Sequence, residues 1–396
     1  MAAGTDVVVV DDAPVTNTRV LFSCTGIGVM NRGIETFFSE AFAALKDTPG
    51  LETLLAKGLG PDIDREKKVW TLPRTGRVAK LFGTIIGRNA YVAEQLSSFL
   101  PIVRVIRKFQ PHVIFYSDSN LGFQLFRWRR QIGVEYKLLF SNGGPCAPPF
   151  DRTDYVQQIT PHNHAEALAA KENPQKHFMV PYGFHLPSRL AGASEDEVRA
   201  LRVRLGVPID RPILLSVGWI SRAHKRMDYL IHEVARLGQP RPFLILLGAI
   251  DGGSDEIFRL AQERLGSDGH IIRSVRPSEM TDYYAAADLF ILGSLHEGFG
   301  RVFVEALGRG LPVVAHRHPV MEYVLGEEET LLDLAVDGVL ASHLAQNPLL
   351  SPSAKHRERR RFRAHGRFSW DVLVPQYRKM FECSARNVGN EGLDAS

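Results

Sequence analysis

Twice along this chain a short apolar run stops at a glycine turn and gives way to a helical pattern. The run Arg19 to Cys24 enters the turn Thr25 to Gly33, which carries Gly26, Gly28 and Gly33. Beyond it Ile34, Phe37, Phe38, Ala41, Phe42 and Leu45 fall on one side of a helix. Pro212 to Val217 does the same, stopping at Gly218 ahead of a helical pattern over Asp228 to Leu237. Strand, glycine turn and helix, begun twice, restricts the chain to successive βα arrays with parallel sheets.

Other segments extend both arrays. Strands are expected at Val113 to Tyr116, Lys137 to Phe140 and Phe178 to Val180 in the first. In the second they are expected at Phe243 to Leu247, Ile271 to Ile272, Leu289 to Leu292 and Pro312 to Ala315, with helices over Glu279 to Ala287 and Val302 to Gly308. Residues 186–197 read as a linker. The pattern predicts an α/β chain of two Rossmann-like domains, residues 1–188 and 189–368. A final segment, 369–396, contains an amphipathic helix from Trp370 to Phe381. Ligands of open parallel sheets bind beyond the carboxyl ends of the strands, so two such domains face each other across a cleft.

The bulk numbers narrow the function classes. The 396 residues carry a net charge of +4, which suits a phosphate-bearing ligand without demanding nucleic acid. No run approaches the roughly 18 apolar residues of a membrane span. The start Met1 to Gly4, followed by Asp11 and Asp12, has no basic-then-apolar leader. Three scattered cysteines, Cys24, Cys146 and Cys383, form no metal or redox pair and suit a reducing, cytoplasmic setting.

The chemistry concentrates in His296 to Val314. Gly298-Phe299-Gly300 lets backbone N–H groups approach a ligand, and the helix after it aims its positive end at the same place, which favours phosphate. Glu297 and Glu305 flank that turn. Two acids beside a phosphate site suit sugar hydroxyls, one on a donor sugar and one on a ribose. The loop Gly218 to Asp228 supplies Lys225, with Arg222 or Arg226, as positive charge for a leaving diphosphate. Gly26 and Gly28 alone fit a dinucleotide fingerprint poorly, because position 31 is Asn31.

These segments resemble the GT-B retaining glycosyltransferases called glycosyl transferases group 1, which are similar in fold to glycogen and sucrose synthases. The likeness is strongest from Val217 to Glu322. It implies that Glu297 touches the donor sugar, Glu305 the ribose and Lys225 the diphosphate. It also implies that amides around Phe299, Gly300, Arg301 and Val302 hold phosphates and sugar. The family's N-terminal glycine turn falls near Arg32 and Gly33, and its cradle for the base falls on Ser274-Val275-Arg276-Pro277. Trp370 and Tyr377 lie in the helix that this fold returns to the N-terminal domain. Two departures stand out: Trp219 follows Gly218 where the family often has arginine, and Ser141-Asn142-Gly143-Gly144 replaces a histidine-bearing stretch. Asn142, Asp118, His162 and His164 either line the acceptor pocket or are structural.

The expectation is a cytoplasmic, retaining, metal-independent glycosyltransferase with no bound cofactor. Its donor is a UDP- or GDP-type sugar, and its acceptor is a small molecule, a glycan or a lipid-linked glycan bound by residues 1–185. A phosphorylase or epimerase on the same fold and a nucleotide-sugar-binding protein with a decayed acceptor site are the alternatives. The run Lys355 to Arg363 is read as a solvated helix face. Arg74 to Leu100, with its basic and apolar residues, is read as acceptor-domain packing rather than a membrane-surface helix.

Overall fold

A computed structural model describes residues 17–30, 32–144, 146–187, 194–347 and 353–386. Half of the expected linker, residues 188–193, and Asn31 of the first glycine turn lie outside them, as does the expected boundary at 188–189.

The first array runs β1 (Thr18–Cys24), α1 (Gly33–Leu45), β2 (Leu51–Lys57), β3 (Glu66–Lys68), α2 (Arg77–Ile85), α3 (Ala90–Ser97), α4 (Phe99–Phe109) and β4 (Val113–Tyr116). It continues with α5 (Ser119–Arg127), α6 (Arg129–Ile132), β5 (Lys137–Ser141), β6 (Tyr155–Gln158), α7 (Pro161–Ala169) and β7 (His177–Met179). All seven strands are parallel, in the order β3-β2-β1-β4-β5-β6-β7.

The second array runs α8 (Glu195–Leu205), β8 (Ile213–Val217), α9 (Met227–Ala235), β9 (Phe243–Leu247), α10 (Asp255–Leu265), β10 (His270–Arg273), α11 (Pro277–Ala286) and β11 (Leu289–Ile291). After it come α12 (Arg301–Gly308), β12 (Val313–His316), α13 (Pro319–Leu325), β13 (Thr330–Leu332), α14 (Val339–Gln346), α15 (Ala354–Phe368) and α16 (Trp370–Ala385). Its six strands are parallel in the order β10-β9-β8-β11-β12-β13.

Both sheets reverse strand order once, between β1 and β4 and between β8 and β11. Loops that leave such neighbours diverge to opposite faces and open a crevice. The loops after β1, β4, β8 and β11 therefore border the two crevices. The central strands earn their positions by composition: β1, β4, β8 and β9 are buried along nearly their whole length.

The chain returns to its first domain at the end. Helix α16 packs against α1 and the first sheet. The Tyr377 hydroxyl donates to the Pro181 carbonyl at 2.9 Å and accepts from Gln157 Nε2 at 2.7 Å. An aromatic seam continues the join: Phe37 stacks on Tyr182, Tyr182 meets Phe299, and Phe299 sits between Phe184 and Phe368.

Three expectations change. Strands β2, β3, β6 and β13 were not anticipated; β6 carries Gln157 and Gln158, both fully buried and hydrogen-bonded, where a sequence pattern suggests surface. The basic run on α15 is not simply solvated. Arg360 and Arg363 pair with Glu329, and Arg359 and Arg363 with Glu328, which pins α15 to the loop ahead of β13. The segment 74–100 does not pack inward as a whole. It breaks at Asn89, whose side chain accepts from the Val92 amide to cap α3, and α2 turns its apolar residues outward.

Candidate active site

The geometry of the second sheet's crevice begins with Gly218. A Cβ there would lie 3.0 Å from Cγ and Cδ of Lys225, so the lysine stem crosses the glycine directly. This close approach delivers Lys225 Nζ to 2.5 Å from Glu297 Oε1. Neither group is open to water: Lys225 is 18% exposed and Glu297 11%. Burial alone would raise the Glu297 pKa, but a hydrogen bond from His224 and the charge and hydrogen bond of Lys225 outweigh it and bring it down to about 2. Glu297 is thus a fixed anion and a very weak base.

Gly300 caps α12 with φ +74, a left-handed conformation that favours glycine; a Cβ would press on the Phe303 ring and Met321. The Phe299 ring is consumed by the aromatic seam, so only its backbone is left to face the crevice. Helix α12 has no side-chain cap and no acid in its first turn. Its first amides, those of Arg301 and Val302 among them, are free for an anion.

The same end of α12 touches the first domain. Arg301 Cδ lies 3.3 Å from where a Gly33 Cβ would stand, at the uncapped start of α1. Its guanidinium pairs with Glu40 of α1 at 2.7 Å and lies over the Phe184 ring at 4.4 Å. The start of α12 thus reaches the start of α1 through the Arg301 side chain, and the acid in the first turn of α1, Glu35, is neutralised by Arg32. One turn further on, half-buried Glu305 accepts a hydrogen bond from the Tyr284 hydroxyl at 3.0 Å.

Gly33, Gly218, Lys225, Glu297, Gly298, Phe299, Gly300, Arg301, Val302 and Glu305 thus lie on the loops and helix starts at this crevice. Arg222 does not join them. It lies 2.5 Å from Glu256 and 3.3 Å from Asp228, on an exposed face toward α10. Arg226 also turns elsewhere, donating to the Leu334 carbonyl and lying over Tyr229. Val275 and Arg276 precede α11; Arg276 is exposed and pairs with Glu279, leaving the local backbone as the part able to meet a base.

At the first sheet's crevice a closed polar cluster forms. Buried Asp118 accepts from the Tyr91 hydroxyl at 2.9 Å, from Gln95 at 3.2 Å and from Thr25 at 3.4 Å. Fully buried Glu94 pairs with Arg74, whose guanidinium lies 4.2 Å over the Tyr91 ring. Arg32 pairs with Glu35 and faces the same ring. Burial pushes the Asp118 carboxyl up, against the Tyr91 hydrogen bond and the Arg74 charge. Asn142 is structural: its amide is spent on Gln158 and on the Cys146 backbone. His164 packs beside His177, whereas His162 faces His318, which in turn faces His296 of the loop after β11.

Glu40, Tyr284, Tyr91 and the Arg74–Glu94 pair were not singled out from sequence. Glu40 had a signal, since it lies seven residues beyond Gly33 on one helical face. Tyr284 had none, because its partner lies on a different helix. Among the described residues no group of three or more His, Cys, Asp or Glu side chains is arranged to hold a metal ion, and no helix is long and apolar enough to cross a membrane.

Residues 197–344 match the family model described as Glycosyl transferases group 1. The lipopolysaccharide core biosynthesis glycosyltransferase LpsE of Rhizobium meliloti is 34% identical over 137 residues, 34% of this chain and 38% of LpsE. A D-inositol 3-phosphate glycosyltransferase of Geodermatophilus obscurus is 28% identical over 259 residues, 59% of this chain and 52% of that protein. The chain thus matches between about a third and a half of the length of these curated relatives. Sucrose-phosphate synthase from Thermosynechococcus elongatus superposes with a TM-score of 0.71 at 19% identity, covering 92% of this chain and 98% of that one. Anabaena HepE, solved with UDP and glucose, gives 0.69 at 18% identity, covering 92% and 99%. These last two likenesses are of fold, and they establish the GT-B architecture of two facing Rossmann-like domains. The matched segment spans both crevice loops of the second sheet, and over it the chain is similar to the glycosyl transferases group 1 family.

Proposed function

We propose that the protein transfers a sugar from a nucleotide-diphosphate donor to a hydroxyl acceptor, with retention and without a metal ion. The observation that carries this is the Lys225–Glu297 pair, set beside an uncapped helix start that reaches a second one through Arg301. The donor sits mostly against residues 200–330, its diphosphate between Lys225 and the starts of α12 and α1. Glu297 takes hydroxyls of the donor sugar and Glu305 those of the ribose. The backbone of Ser274 to Pro277 holds the base. Residues 1–188 supply the acceptor side, 189–368 the donor side and 369–396 the returning helix.

The electrostatics support this division of labour. A lysine and two helix N-termini can neutralise charge as it grows on a leaving diphosphate. Glu297, ionised down to about pH 2, is too weak a base to activate an attacking hydroxyl. It serves instead to orient the sugar and to hold Lys225 in place. The match of residues 197–344 to the group 1 family model, together with the resemblance of this chain to retaining enzymes of that family, supports retention. The curated relatives named above are glycosyltransferases, and HepE was solved with UDP and glucose, which favours a UDP- or GDP-type sugar as the donor.

A calorimetric screen of UDP, GDP, ADP and TDP and their sugars should show binding of one nucleotide series. Lys225→Ala and Glu305→Ala should each lower transfer strongly, Lys225→Ala the more, while circular dichroism stays unchanged. Near-normal turnover in both variants would remove the assignment.

A further inference from the structure

Helix α2 is built inside out for a water-soluble domain. Val78, Leu81, Phe82 and Ile85 recur at the spacing of one helical face. They are 65%, 64%, 39% and 72% exposed. The buried face consists of Ala79 and Gly83, and a Cβ on Gly83 would lie 2.8 Å from the Asn89 backbone. Small residues seat α2 against α3, and the large apolar ones are held out in solvent. Such a contiguous apolar stripe marks an interaction surface.

The charge on α2 and along the chain that flanks it is one-sided. Between Lys67 and Ser117 the chain has nine lysines and arginines and one acid, Glu94. That acid is fully buried and paired with Arg74. Every solvent-facing formal charge of the stretch is therefore positive, including Arg77, Lys80 and Arg88 on and beside α2.

We propose that α2 docks this protein on an anionic membrane surface, with its apolar face in the headgroup–acyl boundary and its cations among lipid phosphates. An apolar stripe flanked by bases is the arrangement that gives interfacial binding. A second copy of the chain fits poorly, because a two-fold contact through α2 would set like charges against each other. The opposite side of the same helical hairpin faces inward: Tyr91, Glu94 and Gln95 of α3 form the wall around Asp118. A membrane at α2 lies one helix layer from that wall. On the transfer reading, to which only this step is tied, the acceptor is presented by a lipid.

Flotation with vesicles tests the docking without activity. Wild-type protein should float with vesicles of phosphatidylcholine plus phosphatidylglycerol, stay behind with phosphatidylcholine alone, and be released by salt. The double substitution Leu81→Glu with Ile85→Glu should weaken binding by about tenfold or more. Its calorimetric affinity for the nucleotide sugar should be unchanged, which reports an intact fold. Absence of wild-type binding to anionic vesicles, or equal binding by the double variant, overturns the proposal. So does a concentration-dependent dimer, lost in the double variant, in a protein that vesicles do not capture. Vesicle binding without any nucleotide-sugar binding would instead overturn the transfer reading and leave the docking standing.

Discussion

The two crevices are built from the same strand–loop–helix unit, yet they handle charge in opposite ways. At the second sheet each charge has one protein partner or few: Lys225 has Glu297, and Glu305 has the Tyr284 hydroxyl. Backbone amides at the start of α12 have no side-chain partner. At the first sheet the polar groups answer one another. Thr25, Tyr91 and Gln95 converge on Asp118, and Arg74 embraces Glu94. A sparse site can take a charged ligand by adding it to a waiting pair. A closed cluster mainly holds its own shape and offers a ligand a wall. The second crevice is thus built to grip and the first to fit, which suits the donor and acceptor roles proposed for them.

The largest expected effect tests that contrast directly. Lys225→Ala should lower kcat/KM by about a thousandfold, the scale of losing a main electrostatic contact to a leaving group. Asp118→Asn should leave donor affinity unchanged and act on acceptor KM alone. Steady-state kinetics with each substrate varied in turn separates the two. Equal loss of donor affinity in both variants would break the comparison.

Next in size is the acid response of the Lys225–Glu297 pair. Glu297 is depressed from 4.5 to about 2 in the folded protein. The stability it contributes is full above about pH 4.5 and is lost as pH falls from there toward 2. The shift corresponds to about 3 kcal/mol. Glu297→Gln should remove that acid-side dependence and lower stability at neutral pH by a similar amount. Denaturant titrations at pH 7 and at steps from pH 5 down to pH 2.5 measure both. Unchanged pH dependence in the variant would show that the pair does not hold the crevice together.

Glu305→Ala should raise the donor dissociation constant by about ten- to a hundredfold, the worth of a hydrogen bond to a charged group. Calorimetry with the nucleotide alone should show nearly the same loss as with the nucleotide sugar. A loss confined to the sugar nucleotide would move Glu305 from the ribose to the sugar.

What could be read in advance follows the same line. Glu297, the glycine turn and Glu305 fall within one local stretch, so strand, turn and helix order sufficed to place them. Lys225 joins them from 72 residues away because β8 and β11 are neighbours at the strand-order reversal, a consequence of the α/β topology. The wall around Asp118 was not legible. Its members span Thr25 to Asp118, and nothing in a sequence says that Glu94 and Asp118 are buried. Helix α2 shows the limit most clearly. Periodicity tells which residues share a face, but the direction of that face is set by Ala79 and Gly83 fitting against α3.

The smallest effect is expected at Arg222, where sequence position and geometry part company. It follows β8 in the same loop as Lys225, and a loop cation beside a diphosphate site is a natural candidate. The chain between them turns, however, and Arg222 is drawn outward by two acids, Glu256 of α10 and Asp228 of α9. It is 57% exposed there, where solvent weakens any pull on a ligand. Lys225, under a fifth exposed, sits where that screening is much weaker. Arg222→Ala should therefore change donor affinity and kcat by less than about twofold. If its loss approached that of Lys225→Ala, the arginine would have to swing from α10 into the crevice when donor binds. The grip on the diphosphate would then be completed by the ligand rather than waiting for it.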